Sequence, residues 1–125
     1  IAVNETNDMN GEICQRTLTH WIDAYALVKA ELPADTRRRW EAKMKVALHP
    51  LVEKLQGYMS QSAYNSYSFN TGPNHAILYA LAVYLGGRLL KRKPWLSLAE
   101  TFADRYVAFQ TEEGCWPEHG GTVTI

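Results

Sequence analysis

The residues able to do chemistry gather in two short stretches. The first, SAYNSYSFNTGPNH at 62–75, carries Tyr64, Asn65, Tyr67, Asn70, Asn74 and His75. The second, TEEGCWPEHGG at 111–121, carries Glu112, Glu113, Trp116, Glu118 and His119. A histidine has its neutral, proton-accepting form available near pH 7, and a tyrosine hydroxyl within reach of it supplies a proton donor or a polar cleft lining. Among Tyr64, Tyr67 and Tyr79, Tyr67 is the first choice for the donor, because it shares its loop with Asn65 and Asn70. The indole of Trp116, in a glycine-rich loop, is a flat stacking platform. Glu112, Glu113 and Glu118 are the carboxylates that paired acid–base hydrolysis needs, and Glu118 with His119 has the donor types of a metal site, but so few groups in a loop are thin support for either. Each residue also has a plain structural role: Asn74 as a helix N-cap, His75 as a first-turn residue bonded to the loop, the tyrosines as packing anchors with satisfied hydroxyls, and Trp116 as a plug over helix ends. His20 and His49 fall on helical patterns and read as structural. No glycine-rich phosphate loop, GxSxG elbow, Cys/His nucleophile pair or zinc spacing is present, and no cofactor or metal is implied.

These stretches need elements to hold them. The chain of 125 residues is one domain by length and large enough to bury a core. Thirteen basic and thirteen acidic residues cancel, so no global field recruits nucleic acid or an anionic membrane. No apolar run reaches the length of a membrane span. Cys14 and Cys115 stand at opposite ends and, without a dense framework, read as two free thiols rather than a bridge. The opening residues are polar and aperiodic, and Ile in place of Met at the start reads as a trimmed terminus or the interior of a longer protein.

Four helices are predicted. Leu18, Trp21, Ile22, Tyr25, Val28 and Leu32 recur at three- and four-residue steps until Pro33. Asp35 or Thr36 is placed to cap the next helix, whose stripe includes Trp40, Met44, Leu48, Leu51 and Leu55. Pro50 predicts a kink there, or two shorter helices meeting at His49. Arg37, Arg38 and Arg39, interleaved with Glu41, read as a solvated face. From the last helical residues near Gln56 to the next helix start near Asn74 lie about 17 residues without helical period, too long for an ordinary connection and too aromatic for a disordered one. The third helix, roughly 74–90, has almost no polar face and must be covered on most sides. Gly86 and Gly87 loosen its end, followed by Arg88, Lys91, Arg92 and Lys93. Pro94 opens a fourth helix with Trp95, Leu98, Phe102, Tyr106 and Phe109 on one stripe. The final TVTI is β-prone but too short to carry a sheet. The class is all-α, with antiparallel helical hairpins in two layers.

FNTGPNHAILYALAVYLGGRLL, then a helix, then FQTEEGCWPEHGG, resembles the α/α-toroid domain of polysaccharide lyases of the alginate lyase, chondroitin lyase and heparinase type, over roughly residues 60–121. The most specific part is an Asn-His pair opening an inner helix, followed some forty residues later by a DGxWPE-like loop. Such toroids need about five or six hairpins and this chain supplies two, so the resemblance implies a fragment of a larger toroid, or an assembly. It implies β-elimination on an acidic polysaccharide in a secreted or periplasmic setting. Asn74 would hydrogen-bond the uronate carboxylate, His75 would be the base, Tyr67 the acid, and Trp116 the platform under a pyranose face. Glu118, His119, Asn70 and Tyr64 would line the substrate, and Arg88, Lys91, Arg92 and Lys93 would be candidates for contacts to anionic sugars. The partner is then an acidic polysaccharide, with neither nucleic acid nor membrane. The alternative is a non-catalytic helical module that self-associates as a homo-oligomer through apolar surface left bare by the missing hairpins.

Overall fold

Four helices carry the chain in the computed structural model, which describes residues 12–60, 73–118 and 122–124. Helix α1 (Glu12–Val28) tightens into a 3-10 turn at Lys29–Glu31, so the first helix gives up its α form four residues short of Leu32. Helix α2 spans Ala34–Met59, α3 Pro73–Leu89 and α4 Lys93–Ala108. A ribbon of β1 (Trp116–Glu118) and β2 (Thr122–Thr124) follows. TVTI therefore does find a partner: the two strands pair antiparallel with Trp116 opposite Thr124. A ribbon this short has no independent stability and depends on what lies beneath it. The class is all-α, built of packed helical hairpins in layers.

Helix α3 is the middle of the molecule. Each of the other three helices has α3 as its most extensive partner. Ala76, Tyr79, Ala80, Ala82 and Val83 are buried on it, against Leu18, Ile22 and Tyr25 of α1, Met44, Leu48 and Leu55 of α2, and Ala99, Phe102 and Tyr106 of α4 in one core. Small residues at 76, 80, 82, 86 and 87 let backbones come close. A Cβ on Gly86 would lie 2.2 Å from Leu48 Cδ1, and one on Gly87 would lie 3.2 Å from the Leu96 backbone nitrogen. The helix is not covered all round, however. Leu81 is 44% exposed, and Ile77, Leu78 and Tyr84 beside it are only half-buried, so the cover expected for this almost wholly apolar helix is missing along one flank.

Sequence signals at helix ends hold in part. α2 starts from Pro33, with no side-chain cap; Asp35 pairs with Arg38 instead. α2 is one uninterrupted helix of 26 residues through Pro50, rather than two meeting at His49, and it runs past Gln56 to Met59. The carbonyl that a proline leaves unbonded four residues back belongs here to Val46, an exposed residue within reach of solvent. The guanidinium of Arg105 donates to the Met59 carbonyl at 2.7 Å, satisfying an end carbonyl and favouring the helix dipole. The α3–α4 turn is a Schellman motif: Arg92 N–H donates to Gly87 O at 2.8 Å, Lys91 N–H to Arg88 O at 3.4 Å, and Lys91 itself takes the left-handed conformation at φ 55°.

Candidate functional site

Register decides which residues can meet. Leu48 of α2 touches Gly86 of α3, and the Lys54 ammonium of α2 sits 5.0 Å over the Tyr79 ring, so α2 and α3 are antiparallel. α4 returns antiparallel to α3 after the tight turn at Leu90–Arg92, and its far end meets the end of α2 through Arg105 and through Tyr58–Phe102, with ring centroids 5.9 Å apart. The end of α2, the start of α3, the end of α4 and the ribbon thus share one end of the molecule, and β1 packs against α3.

At that end Asn74 is the second residue of α3, after Pro73. It is exposed, and His75 is half-exposed and interacts with a neighbour. Pro73 is itself in the helix, so Asn74 is a first-turn residue and not the N-cap. The segment after α4 is tied into a small closed loop. Thr111 N–H donates to Cys115 O at 2.8 Å, Gly114 N–H to Thr111 O at 2.9 Å, and the Gln110 amide to Gly114 O at 2.8 Å. Gly114 supplies the φ of +81° this loop requires. The Glu113 carboxylate is held below its usual range, first by its backbone N–H and then by the Thr111 hydroxyl. A carboxyl kept ionised cannot be the proton-donating member of a hydrolase pair, which needs a raised pKa. Cys115 is a half-buried free thiol.

Trp116 leaves this loop on β1. Its ring stacks on Tyr106 with centroids 4.6 Å apart, and its indole N–H donates 2.7 Å to the Tyr106 carbonyl. One face and the N–H are therefore committed to α4, as a plug over the helix end would be, and the half-buried indole is locked in orientation. A rigid aromatic with its polar handle satisfied is what a stacking platform requires. The stacking partner Tyr106 escaped sequence reading because its spacing reads only as core.

The structure separates the other candidates. Tyr79 is buried in the core and lines no cleft. Tyr64, Tyr67, Asn70 and His119 lie outside the described residues. Glu118 is described in its backbone alone, paired with Thr122. The basic run Arg88, Lys91, Arg92 and Lys93 sits at the opposite end of α3 from Asn74, about 25 Å away for 17 helical residues at ~1.5 Å each. It cannot share one sugar ring with Asn74 and His75. No group of three or more metal-ligating side chains occurs among the described residues, and no described helix is long and apolar enough to cross a membrane.

A second surface was not anticipated in its position. A groove of about 450 Å³ runs between α3 and α4, lined by Ile77, Leu78, Leu81 and Tyr84 on one side and Ala99, Glu100 and Ala103 on the other. Val107, 59% exposed and four residues beyond Ala103, continues the same face. Glu100 is the one charged residue among the described residues of the lining. Comparison with protein-family models, with known proteins and with solved structures gives no match to this chain, so the expected resemblance to toroid lyases finds no support there.

Proposed function

We propose that the chain is a helical-hairpin part of a carbohydrate-active protein that holds an acidic glycan at the end of the molecule where α3 opens. The single observation that carries this reading is the shared end: the helix register brings exposed Asn74, half-exposed His75 and the fixed indole of Trp116 to one end of the hairpins. A pyranose stacks against the Trp116 ribbon. Asn74 donates its amide to the uronate carboxylate, which makes the neighbouring C–H more acidic. His75 takes that proton, the C–O bond to the leaving sugar breaks, a C=C bond forms in the uronate ring, and the departing oxygen is protonated by an acid such as Tyr67.

The test is a panel of alginate, chondroitin sulfate, heparin and pectin, with binding read by calorimetry and elimination by the absorbance of the new unsaturated uronate. Binding of at least one acidic glycan is expected, weakened about tenfold by Asn74→Ala at an exposed position where folding is unaffected. A folded protein that binds none of the four overturns the reading.

A second reading is favoured by the groove. The chain self-associates, with the exposed Leu27 and Val28 of one copy, flanked by Lys29, seated between α3 and α4 of the next near Glu100. Apolar matching is joined there by opposite charge. Leu81→Lys is then expected to shift a concentration-dependent oligomer to monomer in sedimentation. A wild-type monomer at every concentration removes this reading and leaves the first intact.

A further inference from the structure

The neutral charge sum hides a polarised molecule. Arg88, Lys91, Arg92 and Lys93 fall within six positions at the α3–α4 turn, all exposed, and no described carboxylate pairs with any of them. The N-terminal half of α2 points its exposed Arg37 and Arg39 to the same end of the molecule, because Leu48 is already level with Gly86. Two of the acids at that end are occupied: Asp35 by Arg38 and Glu41 by the hydroxyl of Tyr25. Asp23 on α1 and Glu31 in the 3-10 turn after it remain.

Stability does not account for this run. Arg88 and Lys91 suit the C-terminal end of α3, but Lys93 is the first residue of α4 and Arg92 its N-cap. Cations are unfavourable at a helix N-terminus, and Arg92 offers no side-chain cap bond. Lys91 occupies a left-handed position where glycine would be easier. Local rules broken side by side are expected at functional surfaces. Arg92 is held in place, its guanidinium carbon 5.0 Å above the Trp95 ring.

We infer that the α3–α4 turn is a second glycan-binding surface, taking the carboxylates or sulfates of an acidic polysaccharide about 25 Å from the Asn74 end. The acidic-glycan reading above supplies only the identity of the polyanion. Nucleic acid fits less well, because the one aromatic at the turn, Trp95, already has a face covered by Arg92 and single strands are held by free stacking platforms. Carboxylate and sulfate groups need only the guanidinium and ammonium donors present here.

The test is retention on immobilised heparin, with elution salt recorded for wild type, R92E/K93E, Asn74→Ala and the two combined. Placing acids at the start of α4 favours that helix, so R92E/K93E keeps its fold by circular dichroism while its affinity for heparin at low salt drops about tenfold. R92E/K93E is expected to lower retention by the same factor in the Asn74→Ala background as in wild type, because the two ends are too far apart to couple. Wild type that passes unretained at low salt, or R92E/K93E that elutes with wild type, overturns the inference. Loss of retention in Asn74→Ala alone overturns it too, while supporting the site at the other end. Single-stranded DNA displacing the protein from heparin more effectively than polygalacturonate does overturns the choice of polysaccharide.

Discussion

Lys91 shows how one residue can be read twice. As a left-handed C′ position it costs roughly 1 kcal/mol relative to glycine, so Lys91→Gly is expected to raise the unfolding free energy by about that amount in urea titration while lowering heparin retention. No change in stability would mean that the turn is not held as described. Tyr25 makes a different statement. Burial first, and then the hydrogen bond to Glu41, push its hydroxyl from 10.0 up to about 12, and the donor–acceptor distance is 2.7 Å. Its proton is held more tightly folded than unfolded, so this contribution is complete below pH 10 and is lost as pH rises towards 12. Tyr58 is shifted in the same direction by burial. Alkaline unfolding followed by circular dichroism is expected to show stability falling over that range, and Tyr25→Phe to flatten the fall. An unchanged slope in the variant would contradict the assignment.

Elements were legible where apolar spacing was regular and less so where the backbone alone decides. The stripes of Leu18, Ile22 and Tyr25 and of Ala99, Phe102 and Tyr106 announced their buried faces. The start of α2 was misread because Asp35 finds Arg38 rather than a backbone amide, and Pro50 was overweighted because its penalty falls at an exposed turn. The ribbon was missed since Thr122–Thr124 gains its partner only from the closed loop at Thr111–Cys115. Of the candidate site, Asn74, His75 and Trp116 were found from residue type. Their common end follows from the register of α2, α3 and α4, which spacing does not encode. Close approach is the physical basis of that register. Gly86→Ala gains up to about 1 kcal/mol of helix propensity, but its methyl would meet the fully buried Leu48, and overpacking costs ~1–3 kcal/mol. Net destabilisation is expected by thermal melting, relieved by Leu48→Ala in the double variant. A stabilised Gly86→Ala would show the helices further apart than described.

At the scale of the molecule, α3 is a strut with two differently charged ends. Glu112, Glu113 and Asp104 lie towards the end that holds Asn74 and Trp116, and the basic turn lies at the other. On the proposed function, a glycan at the first end would be held by stacking and hydrogen bonds rather than by net charge, and the electrostatic attraction would come from the far end. A chain-length polysaccharide reaching both is expected to bind more tightly than a short oligosaccharide, by the gain in effective concentration when two contacts share one ligand. The uncovered flank of α3, with Leu81 at its centre, lies along the side between those ends and leaves them free if a second copy occupies it. Central to the proposed function is one sugar held between the first turn of α3 and the Trp116 ribbon. The most direct measurement is a titration of the protein with a short oligouronate, following the NMR signals of the Asn74 and His75 amides and the Trp116 indole. The expected result is that all three shift together at one affinity, separately from any shift at the α3–α4 turn, while the Leu48 amide in the middle of α2 stays put. Shifts confined to the α3–α4 turn, or none at saturating sugar, would contradict it.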